Sequence, residues 1–547
     1  MSTKYLMAFL LIHSALACAA PSAPASEQSQ PLIAIKAIVL LGPSAPELTP
    51  EQLQHMQGVQ WIGVDLPGSK QNLQKELEPL LDHHAITIDS VKEIQTKIKD
   101  FYKNASHPFV LIQVPPQDVT EGVLQFRILE THVGNVSVEG NSWHSGRVLK
   151  QFLGLKKGDE IDTDELRENL YFINRDPFLQ ADLIYSQGKE DYTTDVTLAI
   201  KERSPIQLYA GVDNTGIESV GRNRWFMGFN WGNAFGLGHQ LAYQYTASYN
   251  RNQFQAVTVQ YIAPLTWHHI LNVYGGYSVV NPHFSFPTTR NHGWSCQGSL
   301  RYEIPLPMYS HLEHNVIVGG DFKRTNNTFE FSDVSPRASH NVNLTQLLVE
   351  YKGSYSQNSF QFDFDGELFF SPGSWLPDQS KHAYQSLRRG GSPTWVYFRG
   401  ALSYLQRLPA NWALYLLSRG QIASNNLLPS EQYGIGGYDT VRGYEQRTLN
   451  KDTAFLSTLE VRTPQISIFK KHVDGLQFLA FIDYGWGTDH TAEIPGFKTN
   501  YLLGTGPGIR YVYDTYLTMR FDVGVKLHKK HFNGGLAMIH FSVIGSF

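Results

Sequence analysis

Phe360-Gln-Phe-Asp-Phe-Asp-Gly-Glu-Leu-Phe-Phe370 reads as two interleaved sequences. One is Phe360, Phe362, Phe364, Leu368, Phe370; the other is Gln361, Asp363, Asp365, Glu367. Successive side chains of an extended chain point to opposite faces, so the segment is a strand with one aromatic and one acidic face. The pattern recurs. Leu241, Tyr243, Tyr245, Ala247 and Tyr249 oppose Gln240, Gln244, Thr246 and Ser248, and Leu517, Met519, Phe521, Val523 and Val525 oppose Thr518, Arg520, Asp522 and Lys526. Both faces being so committed fits a wall between lipid and water better than a sandwich, whose exposed face has little use for aromatics.

Working outward, about sixteen such segments start near residues 205, 222, 237, 254, 268, 293, 311, 342, 357, 393, 411, 452, 473, 498, 514 and 533. An even number lets a barrel close with both ends of the chain on one side. The connections alternate in length. Asn233-Ala-Phe-Gly236, Ala263-Pro-Leu265, Arg407-Leu-Pro-Ala410 and Tyr513-Asp514 are short, whereas about 280–292, 325–341, 371–392 and 424–451 are long. Short periplasmic turns and long outer loops place everything before residue 205 in the periplasm. The tail alternates Ile539, Phe541, Val543, Gly545, Phe547 and ends on an aromatic residue.

Composition agrees. The 547 residues carry 45 Lys+Arg against 49 Asp+Glu, 17% charged and 13% aromatic side chains. A near-neutral balance supplies no basic surface for nucleic acid. Mean hydropathy is −0.27, and no internal apolar run of bilayer length occurs, which excludes a multi-span helical membrane protein but not a barrel. Residues 1–19 have the order of a secretory signal peptide: Lys4, an apolar stretch, then small residues to Ala19. Residues 20–31, rich in Ala, Pro, Ser and Gln, read as a flexible lead-in. With Cys18 lost in the signal, Cys296 stands alone, so neither a disulfide framework nor a cysteine metal site is expected.

Between lead-in and barrel the pattern is mixed, predicting two small α+β modules, 32–132 and 133–204. The first has a strand at Ile35–Leu41, a helix with Ile88, Val91, Ile94, Ile98 and Phe101 behind Thr87 and a Ser90–Glu93 capping box, and strands at Phe109–Val114 and Gly122–Leu129. The second has a strand at Val133–Glu139, helix faces Val148, Leu149, Phe152 and Leu166, Leu170, Ile173, the latter opening after Asp162 and Thr163, and strands near Phe178–Tyr185 and Thr194–Ile200. Each becomes a small sheet with helices on one face and an edge free to accept a strand.

No catalytic set is present. G-x-S-x-G, H-E-x-x-H and P-loop motifs are missing, and the glycines at 434–437 and 504–508 precede no helix. Asp363, Asp365 and Glu367 share a strand face that a polar lumen explains, and His83-His84 and His268-His269 lack ligand-spaced partners, so no metal or cofactor is expected.

One loop segment stands apart: Gly436-Gly437-Tyr438-Asp439-Thr440-Val441-Arg442-Gly443-Tyr444, between the eleventh and twelfth strands. The thirteenth reads Phe481-Ile482-Asp483-Tyr484-Gly485, and its parity points Asp483 into the lumen. Val441, Arg442, Gly443 and Tyr444 with Phe481, Asp483 and Gly485, together with Val114-Pro115-Pro116-Gln117 and Gly122 in the first module and Asn174-Arg175-Asp176-Pro177-Phe178 in the second, resemble the two-partner secretion transporters, barrels that carry periplasmic POTRA modules.

The resemblance covers about residues 32–547. It implies a loop folded back into the barrel with Arg442 meeting Asp483; Glu460 and Asp522, inward by parity, are competing partners. A charge-assisted pair can hold such a loop against its own conformational freedom. The implied activity is export, with possible activation, of a large haemolysin- or adhesin-type exoprotein caught unfolded by the modules. Outer-membrane lipid and the barrel assembly machinery are the further partners, and an insertase or a passive porin the alternatives. About a dozen residues between signal and first module leave no room for the plug helix many relatives carry, since a 20-residue helix spans about 30 Å.

Overall fold

A computed structural model describes residues 33–81, 84–282, 292–326, 341–469, 472–492, 496–528 and 535–547. The signal peptide, lead-in, any plug helix and His83 lie outside the described residues. The chain divides into two compact units between Thr131 and His132, so the second module forms one unit with the barrel.

In the first unit, β1 (Ala37–Leu41) is followed by α1 (Pro50–Leu53), β2 (Gly58–Ile62), α2 (Lys70–Leu77), α3 (Ile88–Asn104), β3 (Val110–Gln113) and β4 (Val123–Glu130). The sheet order is β2-β1-β4-β3, with β1 parallel to both neighbours. Ile38 and Leu40 pack with Leu73, Leu77, Ile94, Ile98 and Phe126 on one face. On the other, Ala37, Val39 and Leu41 meet Leu53 of α1. Cover on both faces, rather than one, follows from the continuous apolar run of β1. Strand β2 escapes sequence reading because its alternation is short and lies on a sheet edge. The capping box at the start of α3 joins Thr87 and Ser90, each side chain accepting from the other's backbone N–H, not Ser90 and Glu93. Ile88, counted with the apolar face, points outward at the first helical position.

The second module holds β5 (His132–Glu139), α4 (Gly146–Leu153), α5 (Thr163–Asn174), β6 (Leu179–Gln187) and β7 (Thr193–Glu202), in sheet order β5-β7-β6. Asp162 caps α5, accepting from the N–H groups of Asp164 and Glu165. The two modules share a device. Gln117 brackets the backbone of Gln125, accepting from its N–H at 2.7 Å and donating to its carbonyl at 2.9 Å. Asn174 does the same to Ala181, at 2.7 and 3.0 Å. Each amide replaces a missing ladder neighbour, which gives both motifs a structural role.

The barrel begins with β8 (Ile206–Asp213), β9 (Arg224–Ala234), β10 (His239–Ser248), β11 (Phe254–Pro264), β12 (Ile270–Val280), β13 (Gly293–Pro305), β14 (Leu312–Thr325), β15 (Val342–Ser356) and β16 (Phe360–Pro372). After α6 (Lys381–Leu387) come β17 (Thr394–Arg407) and β18 (Ala413–Ala423), and then a long loop that contains the hairpin β19 (Tyr433–Ile435) and β20 (Leu449–Lys451). Strands β21 (Thr453–Arg462), β22 (Asp474–Thr488), β23 (Thr499–Tyr513), β24 (Leu517–Lys526) and β25 (Ala537–Ser546) complete it, and β25 pairs with β8 to close sixteen antiparallel strands. Every strand starts within about four residues of its sequence expectation. Inward and outward positions alternate as expected: on β22, Phe478, Ile482 and Tyr484 face out while Leu479, Phe481 and Asp483 are buried inside.

Candidate functional site

The loop between β18 and β21 enters the lumen. Its hairpin and the following turn build a small dry core of Ile435, Val441, Tyr444 and Leu449 against Ala454, Leu456 and Leu502 of the wall. Tyr444 donates its hydroxyl to the carbonyl of Leu503 at 3.0 Å. Packing of this kind carries the turn at 441–444 down to the polar floor, where Arg442 is 2% exposed.

Four groups converge on that guanidinium. Nε and Nη2 donate to the two oxygens of Asp483 at 2.7 and 2.8 Å, and the Arg442 backbone N–H adds a third bond to the same carboxylate at 3.0 Å. Nη1 donates to Glu460 at 2.8 Å. The Phe481 ring lies beneath, its centroid 3.4 Å from the guanidinium carbon. Asp522 is 3.7 Å away and is held by Arg510 at 2.8 Å and Arg520 at 2.9 Å. Arg520 also reaches Asp439 of the loop, at 2.9 Å, and Arg462 neutralises the free side of Glu460, at 2.7 Å. Asp483, Glu460 and Asp522 therefore surround Arg442 together instead of competing for it. Bidentate geometry on one carboxylate and a shared second one satisfy the donors that burial would otherwise strand.

Strand choice makes this possible. Glu460 faces Phe481, and Asp522 faces His540, in neighbouring strands, so one belt of the lumen carries the whole set. Gly443, at φ +99°, turns the chain directly after Arg442 and donates its N–H to His540 Nε2 at 3.0 Å. The loop backbone rests on Gly504: a β-carbon there would stand 2.1 Å from the Arg442 carbonyl oxygen. Gly485 lies under Ile435 and Val441.

Nearer the outer mouth the same loop is tied to its neighbours. Glu431, buried, accepts from Lys323 at 2.8 Å and Tyr397 at 2.9 Å. Arg388, which follows α6, is buried and holds Asp452 in a bidentate pair, Asp489 at 3.0 Å and the Leu427 carbonyl. Around it Tyr384 and Leu387 of α6 pack on Leu344, Phe369, Trp395, Tyr397, Leu427 and Leu428, an apolar cluster at the outer end of the lumen.

A model of the haemolysin secretion/activation proteins ShlB/FhaC/HecB matches residues 193–511. The chain belongs to this family. The transporter is 23% identical over 410 residues to the heme/hemopexin transporter protein HuxB of Haemophilus influenzae (strain 86-028NP), covering 74% of this chain and 70% of that protein. It is 21% identical over 421 residues to the outer membrane transporter CdiB of Escherichia coli, covering 72% and 66%. Its fold matches solved CdiB from Escherichia coli with a TM-score of 0.76, 15% identity and coverage of 96% and 93%. CdiB from Acinetobacter baumannii matches with 0.65, 18%, 95% and 91%. The chain is an outer-membrane two-partner secretion transporter for a large exoprotein, with its POTRA modules in the periplasm.

Sequence reading placed Val441, Arg442, Gly443 and Tyr444 on the loop and Phe481, Asp483 and Gly485 on the strand, and the fold brings them together. It took Gly504 as a glycine of tight strand packing, and did not single out His540 or the Arg388, Asp452 and Asp489 group. Parity on β25 signals His540 as inward. Nothing local signals that Arg388, in an outer loop, meets residues more than sixty positions away.

Proposed function

We propose that loop 424–452 is the gate of the transporter, seated while Arg442 is held by Asp483 and Glu460 and displaced when cargo passes. The observation that carries this reading is the burial of a loop guanidinium on lumen carboxylates. Only the wall half of the contact is fixed to the membrane, so releasing the pair frees the loop without unfolding the barrel. Residues 32–132 and 133–204 are the capture modules, and 205–547 the conduit.

Each module sheet ends in two edge strands, β2 and β3 in one and β5 and β6 in the other, with Asn174 already holding Ala181 of β6. An unfolded cargo strand can add there through main-chain bonds. Because cargo must leave again, its affinity should be about micromolar. Export then draws on cargo folding outside the cell, with no catalytic group in the reading. The belt of exposed apolar side chains, Val259, Leu300, Val349 and Phe398 among them, meets outer-membrane lipid, and the assembly machinery inserts the barrel.

The experiment is Arg442→Ala in the full chain, read by channel current in planar bilayers and by export of the partner. Larger, longer openings with lost export and normal insertion are expected. Unchanged current and export would remove the loop from the mechanism.

A further inference from the structure

The lumen has two unlike walls. Strands β10, β11 and β12 contain no Asp, Glu, Lys or Arg, and β9 contains only Arg224, at its outer end. Their inward positions hold carboxamides, hydroxyls and small residues, among them Asn230, Gln244, Thr258, Gln260 and Tyr274; on β13 only the outer half, with Gln297, continues the series, since Arg301 and Glu303 follow on the same face, Arg301 paired with Asp321 and lying over Tyr274. The wall from β14 onward is instead charged, with Asp321, Lys323, Glu350, Lys352, Glu367 and Arg399 on successive strands. Most of the loop's contacts fall on that charged side: Glu431 reaches β14 and β17, and the turn at Arg442 reaches β21, β22 and β25, while Glu445 pairs with Arg222 just before β9, at the outer end. Against β9–β13 there is a recess of about 630 Å³.

The second module sits under this wall and extends to β14, where Tyr171 donates its hydroxyl to Glu313. Asn233, at the end of β9, donates to the Trp143 carbonyl at 2.8 Å, and His268, in the β11–β12 turn, meets the Phe152 carbonyl at 2.7 Å. Arg175 pairs with Glu303 of β13, and Met308 in the next turn donates its N–H to Glu168 at 3.1 Å. A smaller cavity, about 170 Å³, lies between this module and the inward residues Gln240, Ile262 and Asn272. The module end of this cavity is charged, with Arg175, Asp176 and Glu303 in its lining, and above it the uncharged strip of β9–β12 runs on into the barrel.

An unfolded chain presents one N–H and one C=O at nearly every residue. Carboxamides and hydroxyls donate and accept, so they can answer either group. Each exchange with water is nearly even, and a sliding chain meets no deep well. A charged wall would hold or repel the chain according to its own charges. We infer that the inward face of β9–β12 is the strip along which the extended, unfolded partner chain slides, recognised as peptide backbone irrespective of its side-chain charge. The inference rests on the conduit reading above, and adds which wall carries the cargo.

The test places a photoreactive amino acid at Gln244 or Gln260, at Glu350 or Lys352 on the charged wall, and at lipid-facing Val259, each in the full-length protein in vesicles. The probe is an uncharged, unstructured Gly/Ser/Asn peptide of about 30 residues, a coil roughly 30 Å across. A second peptide of that length carries mixed Lys and Glu. Adducts with both peptides at 244 and 260, about fivefold or more above those at 350 and 352, are expected from one or two extra hydrogen bonds. Adding Thr258→Glu and Asn230→Asp should lower them with either peptide, while a heat-induced gel shift shows that the barrel is intact. Equal yields on both walls, or higher yields on β15, would overturn the wall assignment and leave the conduit standing. Adducts from no inward position would overturn both.

Discussion

Arg442 sits where a lone guanidinium would cost several kcal/mol, and it is tolerated because two carboxylates and an aromatic face replace its water. Such a site favours one geometry strongly and all others weakly, which suits a contact that must be either made or broken. Asp483→Asn removes the bidentate anion and leaves Glu460, so the seated loop should lose about 1.5 to 3 kcal/mol, the worth of hydrogen bonds to a charged group. Channel recordings should then show openings at least tenfold more frequent. Arg442→Lys should behave similarly, because an ammonium cannot bridge both carboxylates in the same plane.

His144, in the second module, offers a pH test. It is buried with Nδ1 2.7 Å from Glu202 and Nε2 3.2 Å from Asp176. Burial alone would depress its pKa, but those two hydrogen bonds and charges win and hold it above the usual 6.5. Glu202 is pushed upward by burial, yet the backbone N–H groups of Trp143, His144 and Ser142 bring it below the usual 4.5. The histidine's stabilisation is thus complete below its unfolded value and fades as pH rises through its folded one. The glutamate's is present above 4.5 and fades as pH falls through its lowered value. Hydrogen exchange of segment 132–204 should quicken above neutrality in the full chain, and His144→Gln should flatten that dependence.

At the scale of elements, β23 and β24 are shaped for the loop. Gly504→Ala adds a methyl that the strand itself accepts readily but that collides with the Arg442 carbonyl, 2.1 Å away. The substitution should therefore mimic Arg442→Ala in channel current while the barrel keeps its heat-induced gel shift; a seated, silent loop would show that the backbone can shift aside. Strands of this kind are legible from sequence because lipid and water impose a strict period of two, which is why Phe360–Phe370 alone announces the architecture. The parity of β22 sufficed to place Asp483, since one residue's slip would send it into lipid. Strand β2 was not legible, being short and at an edge, nor was the second covered face of β1. The cluster around Arg388 was hidden for another reason: its members share no strand, and only the tertiary path of two outer loops joins them.

On the proposed gating, the barrel has two closures, one by charge at mid-lumen and one by the apolar cluster under α6 at its outer end. The two closures use different residues, so they should add: Arg442→Ala with Arg388→Ala should conduct more than either alone, and equal currents would mean a single latch. The outer cluster matters to the bacterium beyond secretion. A sixteen-strand cylinder that stood open would admit bulky drugs which the envelope normally turns away. Leu344, Phe369, Tyr384 and Trp395 are buried together at that end, and with this cluster as the outer closure, susceptibility to a glycopeptide such as vancomycin should be ordinary in cells that carry the native chain and rise in those that carry the Arg388→Ala form.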